Sequence, residues 1–230
     1  MVGVQGLSRY NTTTRDFFQT HPPNPMPPPR RKRESAAQPA RRPLGVRIIG
    51  GRLRGRRLAY SGDARTRPMK DRLREAIFNL IGPAVNGLHA VDLFAGTGAL
   101  GLEAISRGAA RATLIEQHFP TANLIRRSIA ELGLDEACQV VAADTFVWWR
   151  RGPDLGTQTQ VVFCSPPYDL YTTRTAEMVE LICGLFQASP SGSLLAVEAD
   201  HRFDFGRLPG HESADIRRYP PAMVGLFQKD

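Results

Sequence analysis

Two stretches of the sequence hold residues whose types and spacing could do chemistry. In the first, the apolar run 89–91 is followed by the carboxylate Asp92 and then by Gly96 and Gly98. Glycine lets a backbone turn sharply and lets a ligand approach without a Cβ in the way. A helix that starts beside the glycines presents free N–H groups to the same ligand.

The spacing of Gly96, Gly98 and Gly101 fits the G-x-G-x-x-G pattern of dinucleotide sites, which is a weak signal by itself. The negative charge of Asp92 is unfavourable beside a pyrophosphate, which is also an anion. A carboxylate is better matched to a cationic group, such as the amino group of an amino acid. A glycine turn that binds no ligand would leave Asp92 as an unpaired acid beside a core strand.

The second stretch is Ser165-Pro166-Pro167-Tyr168, which follows the apolar run 161–164. Two prolines fix the backbone and remove two N–H donors, so the local carbonyl groups are free to accept hydrogen bonds from a ligand. The Ser165 hydroxyl can also accept, and the Tyr168 ring offers a flat face for stacking. Together these groups could hold the exocyclic amino group of a nucleobase; the alternative is a proline turn capped by serine.

Two further acids stand at the ends of predicted strands. Glu116 follows Gly98 by eighteen residues and could accept hydrogen bonds from ribose hydroxyls, and Asp144 could accept from an adenine amino group. Ligands of doubly wound sheets bind outside the carboxyl ends of the strands, so these acids and Asp92 fall where one nucleoside ligand would need them. Asp144 is equally well explained as a helix N-cap.

From residue 90 onward the predicted strands and helices alternate. The strands are mostly continuous apolar runs, which is typical of a parallel sheet covered by helices on both faces. We therefore predict an α/β fold, Rossmann-like and doubly wound, with a mostly parallel seven-stranded sheet that ends in a hairpin. The predicted strands are 89–94, 111–116, 138–142, 160–164, 193–198, 214–219 and 223–228, and the predicted helices are 99–107, 119–132, 145–151 and 173–187.

An arginine-rich segment, residues 44–82, precedes these alternating strands and helices and is called the extension here. The runs 46–51 and 56–60 predict a β-hairpin, and apolar residues at helical spacing predict an amphipathic helix over 69–81. The arginines of the extension could bind nucleic-acid phosphates, although Arg67 could instead form an internal ion pair with Glu75 or Asp71. The candidate phosphate-binding residues are Arg47, Arg52, Arg54, Arg56, Arg57 and Arg67.

Charge is unevenly distributed along the 230 residues, which carry a formal net charge of +8. Residues 1–43 hold eight Lys/Arg against two Asp/Glu, residues 44–81 hold ten against three, and the remainder holds twelve against seventeen. A basic front half indicates a polyanionic partner, most simply nucleic acid, or for residues 1–43 only a solubilising tail.

Residues 1–43 contain eight prolines and are expected to be disordered. No apolar run is long enough to span a membrane, and three scattered cysteines predict a cytoplasmic protein without a metal site.

The motifs resemble those of a known family. A D-x-F-x-G-x-G turn followed by a (D/N/S)-P-P-(Y/F) tetrapeptide resembles S-adenosylmethionine-dependent methyltransferases that act on amino groups of bases. Residues 46–58, Thr66-Arg67-Pro68 and residues 71–79 are similar to the RsmD family, which methylates guanine N2 in small-subunit ribosomal RNA. The resemblance covers roughly residues 46–228.

The resemblance implies a class I methyltransferase domain over residues 83–230, an RNA-docking hairpin and helix over 44–82, and a tail over 1–43. It implies S-adenosylmethionine as cofactor and guanine 966 of the ribosomal RNA as the target. The partner would be ribosomal RNA or the small subunit, with no membrane, and the protein a monomer. Catalytic roles fall on Ser165, Pro166, Pro167 and Tyr168, and cofactor binding on Asp92, Phe94, Ala95, Gly96, Thr97, Gly98, Glu116 and Asp144.

Two positions depart from the family pattern, which usually has Asp at the position of Ser165 and Thr at that of Met69. A neutral serine can orient an amine but stabilises a developing positive charge less well. Serine at this position is typical of cytosine-N4 methyltransferases, so methylation of cytosine N4 or adenine N6 and a non-catalytic RNA-binding relative stay open. A nicotinamide-dependent oxidoreductase would explain the glycines and Glu116 but neither Asp92 nor the tetrapeptide. No histidine or lysine is placed as a strong base, so the proton is expected to leave to water.

Overall fold

The computed structural model describes residues 45–63 and 66–230. The chain divides into two units, Met1–Ala40 and Arg41–Asp230, and all described residues belong to the second. The disorder predicted for residues 1–43 lies outside the described residues. Within them, no helix is both long enough and apolar enough to cross a membrane.

A seven-stranded mixed sheet forms the centre of the described unit. Five strands run parallel, and the last two pair antiparallel at one edge, in the order β3-β2-β1-β4-β5-β7-β6. This confirms the predicted mostly parallel sheet with a final hairpin. The strands are β1 (His89–Asp92), β2 (Arg111–Ile115), β3 (Cys138–Val141), β4 (Gln160–Cys164), β5 (Leu194–Asp200), β6 (Asp215–Tyr219) and β7 (Ala222–Gln228).

Among the described residues, six α-helices and two short 3-10 turns accompany the strands. The helices are α1 (Asp71–Ile81), α2 (Ala99–Ser106), α3 (Phe119–Leu132), α4 (Thr145–Arg150), α5 (Leu170–Thr173) and α6 (Thr175–Ala188), and the 3-10 turns are Gly82–Val85 and Phe205–Arg207.

Two helix predictions need correction. The helix predicted from residue 69 begins at Asp71, because Lys70 still has extended backbone with ψ of 139°. The helix predicted over 173–187 is observed as α6, Thr175–Ala188, but the short helix α5 before it, Leu170–Thr173, was not predicted; Arg174, whose φ of −132° is not helical, separates the two. No glycine or proline marks this break, so residue type gave no signal for it.

Helices cover both faces of the sheet, as the apolar strands predicted. Alternate strand residues face opposite layers: Ala90 and Phe163 pack with α1, α2 and α3, while Val91 and Cys164 pack with α4, α5 and α6. In the first layer the rings of Phe78 and Phe163 lie 5.5 Å apart between centroids. The extension therefore shares the core of the domain and is no separate module.

The predicted hairpin of the extension is real but short. One antiparallel bridge joins Arg47 to Arg57, and only a few hydrogen bonds cross between the two runs. The rest of its backbone bonds to helices: Ile49 N and Gly50 N donate to the Glu103 carboxylate at 2.8 and 2.7 Å, and Arg52 N donates to the Ser106 carbonyl. The two predicted strands are short because α2 takes the hydrogen bonds that a partner strand would make.

A buried cluster of charges fastens this extension to the sheet layer. Glu103 and Arg74 are both fully buried. Glu103 lies 2.8 Å from Arg107 Nε and 3.7 Å from Arg74 Nε, and Arg74 Nη2 donates to the Arg47 carbonyl and to Asp71. Asp71, the residue predicted as one alternative partner of Arg67, is thus paired with Arg74, and it also pairs with Arg47 at 3.1 Å.

We predict that Glu103→Ala lowers the free energy of unfolding by roughly 3–5 kcal/mol, because it removes the buried carboxylate that faces Arg74 and accepts from Ile49 N and Gly50 N, and leaves Arg74 only its half-exposed partner Asp71. Urea unfolding of the full chain measures this change. The control is Glu131→Ala, which removes an exposed partner of Arg127 and should cost about 1 kcal/mol or less. Equal small losses for both variants would contradict the anchoring role of Glu103.

Candidate active site

The glycine turn between β1 and α2 contains glycines with different tasks. Gly96 and Gly98 have φ of +52° and +76°, a region that favours glycine. A Cβ on Gly98 or Gly101 would press on side chains of the core, at 3.0 Å from Ile125 and 2.8 Å from Leu114. A Cβ on Gly96 would meet nothing closer than 3.6 Å. Gly98 and Gly101 therefore serve packing, while a Cβ on Gly96 would make only ordinary van der Waals contact, so glycine is favoured there by the positive φ.

Asp92 ends β1 and is almost fully buried. Its Oδ2 accepts a hydrogen bond of 3.0 Å from Gly101 N, so the carboxylate ties the strand to the following helix. Its Oδ1 is buried without a hydrogen-bond partner among the described residues. Burial raises the pKa of Asp92 from 3.8 to about 7, with a smaller contribution from Glu116. The side chain thus has a structural bond and one oxygen left over for a ligand.

Glu116 follows β2 and joins two turns. Its Oε2 accepts from Gly96 N at 2.8 Å, and its Oε1 accepts from His118 N at 2.7 Å. Asp144 follows β3 and caps α4 by accepting from Val147 N, which was the alternative interpretation from the sequence. Both acids therefore fix the backbone of this edge, and their roles toward a nucleoside stay predictions.

The other predicted cofactor-binding residues line the same turn. Phe94 is half-buried and lies edge-on to Phe146, with 6.1 Å between ring centroids. Ala95 and Thr97 are buried, and Ala95 both donates to the Ile115 carbonyl and accepts from Gly98 N. The turn is thus fastened to β2 by its backbone.

The Ser-Pro-Pro-Tyr loop leaves the end of β4. Ser165 and Tyr168 are half-buried, and the hydroxyl groups of both donate to the carboxylate of Glu198, Ser165 to Oε2 and Tyr168 to Oε1. Pro166 is buried and Pro167 is exposed. Burial, followed by the hydrogen bond to Glu198, raises the pKa of Tyr168 well above its ordinary value of 10. Tyr168 therefore stays a neutral hydrogen-bond donor.

Glu198 is a site residue that the sequence analysis missed. It belongs to β5 and is only 7% exposed, and its backbone carbonyl accepts from the Tyr171 hydroxyl at 2.8 Å. The available signal was its place near the carboxyl end of a parallel strand, the same rule that picked out Asp92 and Glu116. Because β5 was interpreted only as a core strand, that acid was not considered.

The register of the sheet brings the two predicted motifs to one edge. β1 and β4 are parallel neighbours with Asp92 opposite Phe163, and Leu93 N donates to the Phe163 carbonyl. The next pair, β4 with β5, sets Cys164 opposite Val197. The glycine turn, the Ser-Pro-Pro-Tyr loop and Glu198 therefore lie at the same end of three adjacent strands.

The extension also reaches this edge. Thr66 is the side chain that a Cβ on Gly96 would meet first, at 3.6 Å, and its hydroxyl lies 3.2 Å from that of Thr121 at the start of α3. Tyr60 donates to the Thr66 carbonyl at 3.1 Å. The Thr66-Arg67-Pro68 segment thus borders the glycine turn.

Five of the six candidate phosphate-binding arginines are exposed with no ion pair to a described residue: Arg52, Arg54, Arg56, Arg57 and Arg67. Among them, Arg56 donates to the Glu131 carbonyl at 3.2 Å. Arg47 differs, because Asp71 already neutralises its charge. The exposed arginines form the basic surface of the extension.

Solved structures share this architecture. A putative methyltransferase from Escherichia coli superposes with a TM-score of 0.64 at 28% identity, covering 81% of this chain and 98% of its own. A putative methylase from Haemophilus influenzae gives 0.61 at 26% identity, covering 80% and 98%. The fold is thus that of methyltransferase-like α/β proteins.

Sequence comparison narrows this class. The family model described as conserved hypothetical protein 95 matches residues 46–211, and the chain belongs to this family. A ribosomal RNA small subunit methyltransferase D from Haemophilus influenzae is 31% identical over 155 residues, 67% of this chain and 79% of the relative. The Escherichia coli protein of that name is 40% identical over 123 residues, 54% of this chain, and the match spans 60% of its length. The resemblance to the RsmD family is confirmed.

The raised pKa of Asp92 predicts a pH dependence of stability. Folded Asp92 keeps its proton to about pH 7, whereas the unfolded chain loses it near pH 3.8. The folded state therefore binds more protons between these values, and stability conferred by Asp92 falls as pH rises through this window. Relative to Asp92→Asn, wild type should lose stability up to about pH 7 and then level off.

Urea unfolding of wild type and Asp92→Asn across this range measures the difference. The control is Asp154→Asn, the same replacement at an exposed carboxylate, measured over the same pH range. A difference between wild type and Asp92→Asn that does not vary with pH would contradict a buried, protonated Asp92.

Proposed function

We propose that the chain is a class I methyltransferase that uses S-adenosylmethionine to methylate guanine N2 in small-subunit ribosomal RNA, at guanine 966. The observation that carries the proposal is the common edge of the sheet, where the glycine turn of β1 and the Ser-Pro-Pro-Tyr loop of β4 leave neighbouring strands. Residues 83–230 would form the methyltransferase domain and residues 44–82 the RNA-docking part.

The residues at this edge fit the cofactor. The unpartnered, buried Oδ1 of Asp92 is the feature expected of a site for a ligand with a cationic amino group. Glu116 would hold the ribose with the lone pairs that its two backbone hydrogen bonds leave free, and Asp144 the adenine amino group. When bound, the cofactor supplies a methyl group activated by a sulfonium sulfur.

The Ser-Pro-Pro-Tyr loop would hold the target base. Since Ser165 donates its proton to Glu198, the lone pairs of its oxygen stay available to accept from the base amine. The Pro166 carbonyl would accept the second amine proton, and the ring of Tyr168 would stack on the base. Guanine's amine is a poor nucleophile because its lone pair is delocalised, so positioning carries most of the rate effect. Its surplus proton would leave to water.

The substrate class rests on the extension and on the relatives. Exposed arginines without ion pairs to described residues suit the phosphate backbone of RNA. Relatives of the same family bear the name ribosomal RNA small subunit methyltransferase D. Ribosomal RNA or the small subunit would therefore be the partner, bound by a monomer.

Methyl transfer from labelled S-adenosylmethionine tests the proposal. The purified full chain is offered small-subunit particles lacking the modification, the naked ribosomal RNA and double-stranded DNA, and the labelled nucleoside is identified by mass spectrometry. Label on guanine N2 of the ribosomal RNA supports the proposal. Label on cytosine N4 or adenine N6 would replace the target base, and binding without transfer would indicate a non-catalytic RNA-binding protein.

We expect Tyr168→Ala to lower kcat by roughly 10- to 100-fold, because stacking on an aromatic ring contributes about 1–3 kcal/mol per base. Affinity for the cofactor, measured by calorimetry, should stay nearly unchanged. Tyr168→Phe keeps the ring and should lose less activity than the alanine variant. Equal loss of cofactor affinity and turnover in Tyr168→Ala would contradict a role confined to the base.

The proposed binding of RNA by the exposed arginines can be tested by measuring how affinity depends on salt concentration. Reversing two charges in Arg54→Glu/Arg56→Glu should reduce the slope of log affinity against log salt for the ribosomal RNA by roughly one to two, because fewer counterions are released. Arg218 is equally exposed but lies on β6, the edge strand of the sheet, so Arg218→Glu should keep the wild-type slope. An unchanged slope in the double variant would remove the docking role.

A further inference from the structure

We propose that Glu198 supplies, through Ser165, the negative charge of the amine-binding site. The inference rests on the proposed function. Glu198 is buried at the end of β5, and its two carboxylate oxygens accept from the two hydroxyl groups of the Ser-Pro-Pro-Tyr loop. It is a positioning residue, because it acts on the base through Ser165 and Tyr168.

The direction of these hydrogen bonds carries the argument. An ionised carboxylate can only accept, so both hydroxyl protons must point toward Glu198. A serine hydroxyl has one proton and two lone pairs, and with its proton fixed the lone pairs are left for a donor on the other side. The Ser165 oxygen is thereby held as an acceptor, which is what an exocyclic amine requires.

The negative charge of Glu198 has a second effect, which is to stabilise the positive charge that develops on the amine. The amine nitrogen becomes positive as it gains a methyl group, and a neutral serine alone would offer that charge little stabilisation. Behind Ser165, one hydrogen bond away, lies a buried carboxylate whose field is weakly screened. Hydrogen bonds to an ionised group are stronger than neutral ones, so Ser165 and Glu198 act together as one extended anion.

Among the described residues, none forms an ion pair with this carboxylate. Its partners are the hydroxyls of Ser165 and Tyr168, and its backbone carbonyl is bonded to Tyr171. The nearby acid Asp200 on the same strand is instead paired with Arg202 at 2.6 Å. A buried acid without a cation partner is costly to keep unless its charge has a use, and here that charge faces the amine site.

Exchange of the charge between the two positions tests the proposal. Glu198→Gln keeps the shape but removes the charge, and its amide can donate to Ser165 and turn the hydroxyl the wrong way. Ser165→Asp alone sets two carboxylates against each other. In the double variant Ser165→Asp/Glu198→Gln, the charge is moved forward to position 165 and the amide can donate to it. The matched control is Asp200→Asn, which removes a charge from β5 without contacting Ser165.

We expect Glu198→Gln to lower kcat by about 100-fold with KM for the ribosomal RNA changed less than about threefold, the loss found when one preorganised group is removed from a charge-stabilising site. Ser165→Asp should be similarly impaired, the double variant should recover at least about tenfold over either single variant, and Asp200→Asn should stay near wild type. Each kcat is measured at saturating cofactor with the same RNA, and urea unfolding verifies that each variant is folded.

The possible outcomes are distinct. A merely structural role predicts that the double variant is no better than the worse single variant, and that result would overturn the proposal. Full activity of Glu198→Gln would overturn it as well while leaving the proposed function intact. A wild-type chain that transfers no methyl group to any of the nucleic acids would instead overturn the proposed function, and this inference with it.

Discussion

The parallel pairing of β1 with β4 is the constraint on which the rest of the structure depends. With Asp92 opposite Phe163, the chain leaves both strands at one edge, so the glycine turn and the Ser-Pro-Pro-Tyr loop must share that edge. A slip of one residue would turn every side chain of a strand to the other layer. The apolar residues facing the two helix layers forbid such a slip, so the packing of the core also holds the site together.

The acids at this edge of the sheet accept hydrogen bonds from backbone N–H groups, apart from any role in binding a ligand. Asp92, Glu116 and Asp144 each accept from a backbone N–H of a turn or a helix start. Such bonds fix the turns in place, and they use only part of the capacity of a carboxylate. Glu198 differs, since its side chain holds two hydroxyl groups of the reactive loop. At this edge, carboxylates therefore fix the backbone around the glycines, whereas around Ser165 the Glu198 carboxylate orients hydroxyl groups.

Strands and helices with a clear apolar pattern were predicted well from the sequence. Contacts between residues far apart in the chain were predicted poorly. The strands and the two motifs follow from apolar runs, glycines and prolines, which act locally, whereas the order of the strands was not predicted. The hairpin is shorter than predicted because its backbone N–H groups bond to Glu103 and Ser106 of α2, contacts that local patterns do not reveal. Glu198 ends the predicted strand 193–198, but its partner Ser165 is thirty-three residues away, so only the structure shows what it binds. Asp144 shows the converse, as its N-cap geometry was visible locally.

The short hairpin of the extension has a consequence for biosynthesis. Its backbone donors are satisfied by Glu103, Ser106 and Ser128, which lie 53 to 69 residues further along the chain. During translation this segment leaves the ribosome before α2 and α3, yet its hydrogen bonds cannot be completed until both helices have emerged. Contacts of such separation form late because a long loop must close. The newborn chain thus carries an unsatisfied, arginine-rich strand for several seconds of synthesis, close to the very class of polyanion that its mature surface suits.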